Sequence, residues 1–147
     1  MTVPASVRLF HASCIALQDP GVEAGLLILG PSGSGKSSLA LMLMAFGARL
    51  VADDNTLVRR QGGRLRAEPV PATAGLVEAR GIGILRTAPP QATVLTLAVD
   101  LGTVETERLP PRRHIDVMGI ALPLVLGPAT PHLAAALFHL LRYPRQA

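Results

Sequence analysis

A strand-rich α/β domain built around a phosphate-binding loop, with few helices, is what this sequence predicts. Three observations carry that reading. Gly30-Pro31-Ser32-Gly33-Ser34-Gly35-Lys36-Ser37 fits the phosphate-loop pattern of Gly, four residues, Gly-Lys and Ser/Thr at every required position. The apolar run Gly25 to Leu29 leads into it as a buried strand should, and Ser38 to Phe46 follows without charge, proline or glycine, as a helix should. Elsewhere the chain is mostly short apolar or β-branched runs between Gly/Pro turns, with one more helical stretch near the end. That is too strand-rich for the strand–helix alternation of adenylate-kinase-like or GTPase architectures.

Taken in order, Val7 to Leu17 reads as a first strand, stopped by the turn Gln18-Asp19-Pro20-Gly21. Gly25 to Leu29 is the second strand, and Gly47 ends the helix after the loop. Arg49 to Ala52 is a short strand delivering Asp53 and Asp54. Thr56 to Arg60 and Arg64 to Glu68 form a hairpin about Gln61-Gly62-Gly63. Thr93 to Leu101 is a clear strand, and Glu105 to Arg113 a charged, exposed loop. His114 to Val117 and Leu122 to Leu126 are further short strands. Thr130 is a plausible N-cap, with Pro131 at the first position of a helix running to Tyr143.

The 147 residues are read as one domain, 1–147, with room for one core. With 49% hydrophobic and 16% charged residues nearly all of it should fold, and with 3% aromatics and no Trp the core must be aliphatic. So few aromatics leave no platform on which single-stranded nucleic acid could stack. The net charge of +4 is spread along the chain with no helix-turn-helix or zinc motif, so nucleic acid is not the expected partner. The excess suits phosphates and an acidic protein surface instead. The lone Cys14 excludes an intrachain disulfide or a cysteine metal cluster, and its apolar neighbours predict a buried, inert thiol. Asp116 to Arg142 encloses no formal charge, yet Pro123, Gly127, Pro128, Pro131, His132 and His139 interrupt it. A strand followed by a buried helix fits better than a membrane span. No secretory signal is visible, so a cytoplasmic location is expected.

The candidate site grows from the loop. Backbone N–H groups of a glycine-rich loop and the helix N-terminus converge on an anion, which makes Gly30, Pro31, Ser32, Gly33, Ser34, Gly35, Lys36, Ser37 and Ser38 the nucleotide-binding candidates. Of fourteen basic residues all but one are arginine, and the single lysine, Lys36, stands where a compact ammonium must reach the β/γ-phosphates. Asp53 and Asp54 lie at the carboxyl end of a strand, where ligands collect in open α/β sheets. Neighbouring strand residues face opposite ways, so one aspartate can serve Mg²⁺ while the other has a different task. An Asx-turn pair leading into Asn55 is the plainer alternative. Glu78 and Arg80, between apolar flanks and beside Gly81 and Gly83, are either a surface ion pair at a bulge or a second ligand-contacting loop. In the second case Glu78 faces metal and Arg80 phosphate. His11, alone in its strand, reads by default as an ordinary satisfied histidine.

The order His11-Ala12-Ser13, the phosphate loop, Leu50-Val51-Ala52-Asp53-Asp54 and Glu78-Ala79-Arg80-Gly81-Ile82-Gly83 resembles the HPr kinase/phosphorylases. The resemblance covers nearly the whole chain but only that family's catalytic domain, as in short forms without the N-terminal domain. It implies a fold like the nucleotide-binding core of phosphoenolpyruvate carboxykinase. It also implies an ATP- and Mg²⁺-dependent serine kinase acting on the phosphocarrier protein HPr of the sugar phosphotransferase system, and a homo-oligomer, hexameric in the family. Pyrophosphate and phosphate are the alternative substrates implied, through phosphorolysis. By the same resemblance Lys36 is the phosphate-loop lysine, Ser37 the Mg²⁺-binding hydroxyl and Asp54 the acid/base. Asp53 is a second acidic contact grouped with the metal, Glu78 a further Mg²⁺ ligand, His11 an active-site histidine and Arg108 a functional arginine. The chain departs from the family at Ala12, where glycine is usual, and at Leu126 and Pro128, in a segment that commonly carries a lysine and an arginine and is tied to phosphorolysis. The kinase direction is therefore the expected one. A small-molecule phosphate-loop kinase and a non-catalytic nucleotide-sensing module are the competing expectations.

Overall fold

The computed structural model of the chain describes residues 6–147. Its strands are β1 (Ser6–Phe10), β2 (Ser13–Ala16), β3 (Gly25–Leu29), β4 (Arg49–Ala52), β5 (Thr56–Gln61), β6 (Arg64–Pro69), β7 (Leu76–Ala79), β8 (Gly83–Arg86), β9 (Thr93–Val104), β10 (Arg113–Val117) and β11 (Ile120–Gly127). Two α-helices accompany them, α1 (Lys36–Ala45) and α2 (Leu133–Leu140). The strand-rich α/β prediction with few helices holds.

Nine strands form one mixed sheet in the order β1-β5-β6-β9-β3-β2-β4, with β11 paired to β9 and β10 to β11. β7 and β8 make a separate two-stranded ribbon. Direction decides where the site falls. β3 runs parallel to β9, whereas β2 is antiparallel to both of its neighbours, β3 and β4. β4 therefore points the same way as β3. The carboxyl ends of β3 and β4 and the amino end of β2 all reach the same edge of the sheet.

The central strands separate two cores by simple alternation. Ile15, Leu26, Ile28, Leu50, Leu97 and Val99 face the helices and pack with Leu39 and Leu43 of α1 and Leu133 and Leu137 of α2. Cys14, Ala16, Leu27, Val51 and Ala98 face the other way, against Val58 and Leu65 of the β5–β6 hairpin and Val117 and Leu122 beyond. Both cores are aliphatic, as the scarcity of aromatics requires. Cys14 is fully buried, and that burial raises its thiol pKa, keeping it protonated and inert. Along α1 the buried positions Lys36, Leu39, Ala40 and Leu43 recur at helical spacing and form one stripe. Leu43→Ala should open a cavity under this stripe and lower unfolding stability by about 2–5 kcal/mol, read by urea denaturation.

Three local expectations are corrected. The first predicted strand is two strands: β1 pairs with β5, while β2 pairs with β3 and β4, and the chain bends between them at His11. Two different partners cannot be met by one straight strand. The last helix is shorter than predicted, spanning Leu133–Leu140. Thr130 does not cap it; the Leu133 N–H donates to the Thr130 carbonyl in a turn, and the Thr130 hydroxyl lies 3.2 Å from His132 Nδ1. Finally, Leu76 to Ile84 is no bulge but most of the β7–β8 hairpin, which turns at Arg80 to Ile82. None of the described residues' ion pairs joins Glu78 to Arg80.

A candidate phosphoryl-transfer site

The loop between β3 and α1 takes its shape from glycine. Gly30, Gly33 and Gly35 all have positive φ, where a side chain is strained. A Cβ on Gly30 would in addition meet the Ser34 hydroxyl. Gly35 occupies the N-cap position of α1 in the left-handed conformation, without a side-chain cap, and no acidic residue stands in the first turn. The helix N-terminus is left open to an anion. From the neighbouring β9, Gly102 packs so closely on Pro31 that a Cβ would collide with its ring.

Lys36 is buried among the loop's carbonyls. Its ammonium donates to the Gly30 carbonyl at 2.8 Å and the Pro31 carbonyl at 3.1 Å. It also lies 3.5 Å from His11 Nε2. An ammonium only donates, so these partners assign Nε2 as acceptor and place the imidazole proton on Nδ1. Nδ1 faces Asp54 Oδ1 at 3.6 Å. His11 thus stands between the loop lysine and the exposed aspartate. The bend that splits the first strand is what puts it there.

The acidic pair divides, but not by alternation along a strand: β4 ends at Ala52, and Asp53 and Asp54 lie in the bend that follows. Asp53 is buried and Asp54 has a side chain 64% exposed. Asp53 Oδ1 accepts from the Ser13 hydroxyl at 2.7 Å and the Ser37 hydroxyl at 2.8 Å, and Oδ2 accepts from the Glu78 N–H at 3.0 Å. One carboxylate thereby ties β2, α1 and β7 together, satisfied by charge-assisted bonds. Asp54 has φ 65°, a left-handed conformation rare outside glycine, and its N–H donates to Ser13 Oγ at 3.2 Å.

A cleft of about 280 Å³ opens over these groups, lined by the loop, Lys36, Ser37, Ser38, Asp54, Glu78 and Arg80. The β7–β8 hairpin forms its far wall, so Glu78 and Arg80 join the loop from across the cleft. Arg108 is elsewhere: it sits in the exposed segment between β9 and β10 and does not line the cleft. That segment is closed by a two-bond pair of Arg113 with Glu105, both contacts 2.9 Å. The hydrogen-bonded guanidinium holds the Glu105 carboxyl below its ordinary range. Ser13 was missed as a site residue in its own right, because nothing local distinguishes a serine opening an apolar strand from a packing residue.

Fold and loop define a phosphate-loop domain with a divided pair of aspartates at the loop's edge. The chain belongs to the family described as HPr Serine kinase C-terminal domain, which it matches over residues 5–90. It is 38% identical over 100 residues to the HPr kinase/phosphorylase of Clostridium novyi, a match covering 65% of this chain and 32% of that protein. To the HPr kinase/phosphorylase of Brevibacillus brevis it is 32% identical over 120 residues, covering 73% of this chain and 39% of that protein. The chain thus spans well under half the length of these curated relatives. A solved structure of the Hpr(Ser) kinase/phosphatase from Coxiella burnetii superposes with TM-score 0.72 at 25% identity, covering 92% of this chain and 88% of the other.

Proposed function

We propose that the chain is an ATP-dependent kinase that phosphorylates a serine of HPr and so takes part in regulating carbohydrate metabolism. One observation carries this reading: an exposed carboxylate, Asp54, lines the same cleft as the phosphate-loop lysine, while its neighbour Asp53 is consumed behind it as a structural anchor. Phosphoryl transfer asks the protein mainly for positioning and charge neutralisation. In this reading Lys36 and the loop N–H groups hold the β/γ-phosphates. Asp54 takes the proton of the serine hydroxyl as its oxygen bonds to the γ-phosphorus and the bond to the β-phosphate oxygen breaks, releasing ADP. His11 orients Asp54 through Nδ1 and stands near the phosphates through Nε2. Arg80 neutralises charge from the hairpin side. Arg108, on the exposed loop, belongs to the surface met by the protein substrate.

The donor set suits Mg²⁺, which is commonly held by one or two protein oxygens together with substrate phosphates. The Ser37 hydroxyl and the Glu78 carboxylate belong to residues lining one cleft, with Asp53 fixing Ser37 and the Glu78 backbone from behind. The ion would supply neutralisation of the charge on the transferring phosphoryl group. A cytoplasmic location and a homo-oligomeric assembly belong to the same reading. Among the described residues no helix is long and apolar enough to cross a membrane.

The direct test incubates the protein with ATP, Mg²⁺ and HPr and weighs HPr. The gain of one phosphoryl group on a serine is the expected result. An unmodified HPr, with the phosphoryl group instead on a small metabolite or still on ATP, would refute the proposal.

A further inference from the structure

We infer that Ser13 is a positioning residue for phosphoryl transfer, its one hydroxyl holding both members of the acidic pair in register. The inference rests on the kinase reading above and adds to it a residue with no contact to nucleotide. Ser13 is fully buried at the first position of β2, two residues after the bend at His11. Its Oγ–H donates to Asp53 Oδ1 while the same oxygen accepts the Asp54 N–H. The hydroxyl therefore both donates and accepts, and both of these partners are site residues.

Each half of this arrangement has a consequence. The bond to Asp53 gives Oδ1 a second donor beside Ser37, whose own bond to that oxygen remains when Ser13 is removed. The bond from the Asp54 N–H anchors that residue's left-handed backbone, which aspartate tolerates but does not prefer. Without the hydroxyl, the Asp54 N–H loses its acceptor and the Asp53 carboxylate loses one of three donors. Asp54 is then free to relax toward ordinary φ, swinging its carboxylate away from the cleft. Lys36 and the loop carbonyls it grips are untouched by the change. The loss should consequently fall on turnover rather than on nucleotide affinity. Partners that orient a ligating or reacting group typically matter by about 10–100-fold.

The experiment compares wild type, Ser13→Ala and Ser13→Thr for transfer to HPr and for ATP binding by calorimetry, below the thermal transition of each. Ser13→Ala should lower kcat by about 10–100-fold while the ATP dissociation constant and KM stay within about twofold. Ser13→Thr, which keeps the hydroxyl, should recover most of the rate. The inference is overturned if Ser13→Ala turns over like wild type. It is overturned equally if ATP affinity falls in step with the rate, or if the threonine variant is as slow as the alanine one. A wild-type protein that binds ATP but never phosphorylates HPr would instead refute the kinase reading, so the two failures are distinguishable.

Discussion

Asp54→Asn should bind ATP as tightly as the unaltered chain and transfer its phosphoryl group to HPr about 10²–10⁴-fold more slowly. The asparagine keeps the size of the side chain and, like aspartate, tolerates the left-handed backbone at this position, where φ is 65°. It keeps the N–H that donates to Ser13. What it removes is the negative charge that the proposed mechanism uses to take the serine proton. The amide Oδ1 still accepts, as a neutral and weaker acceptor, where His11 Nδ1 faces Asp54 Oδ1 at 3.6 Å. Asp54→Ala should be as slow in transfer but less informative, because alanine adds backbone strain. Single-turnover transfer, followed as phosphoserine on HPr, checks the rate, and calorimetry checks the binding. Retained transfer in the asparagine variant would show that the proton leaves by another route.

Lys36→Ala should fail earlier, at nucleotide binding. The lysine ammonium is the one positive group of the loop itself, and its charge-assisted bonds are each worth about 1.5–3 kcal/mol. Losing the proposed contact to the β/γ-phosphates should then weaken ATP binding by roughly 10–100-fold. Lys36 also braces the loop through the Gly30 and Pro31 carbonyls, so its removal leaves those acceptors and the loop's shape unsupported. Arginine is no substitute, since a planar guanidinium is larger than the buried space an ammonium fills. Titration with ATP and Mg²⁺ gives the answer directly. Unchanged affinity would remove Lys36 from the phosphate-binding role, whereas the Asp54 variant binds normally and fails only in transfer.

Much of the site was legible in the sequence because it is built from short-range rules. The glycine-rich loop needs glycine where φ is positive, and a local pattern records that need at Gly30, Gly33 and Gly35. The strand and the helix that flank it follow from apolar runs of the right length. Likewise the hairpin of β5 and β6 announces itself by its glycine turn, and the aliphatic cores by composition. That Asp53 and Asp54 differ in surroundings was expected. The expected split put Asp53 with the metal, whereas here it is bonded to Ser13, Ser37 and the Glu78 N–H. The bend after β4, rather than strand alternation, separates the two. The errors have separate origins. The break between β1 and β2 reflects pairing with β5 on one side and with β3 and β4 on the other, and no window of local sequence contains those partners. The start of α2 moved because Thr130 and Pro131 are used in a preceding turn.

By itself, then, the sequence determined the local parts of the candidate site: the glycine-rich loop, the single lysine and the presence of two carboxylates one strand further on. Each is encoded in a short local pattern, the loop in Gly30 to Ser37 and the carboxylates at the end of one strand, so backbone stereochemistry suffices to read them. Only the tertiary structure decided which residues meet across the chain. Strand direction brings the start of β2 and the ends of β3 and β4 to one edge, and the β7–β8 hairpin closes the cleft from outside the main sheet. Ser13, His11 and Glu78 enter the site through that geometry, and Arg108 is left out of the cleft by it. Register and strand order arise from burying two apolar faces at once, a condition on the whole chain that no single stretch can express.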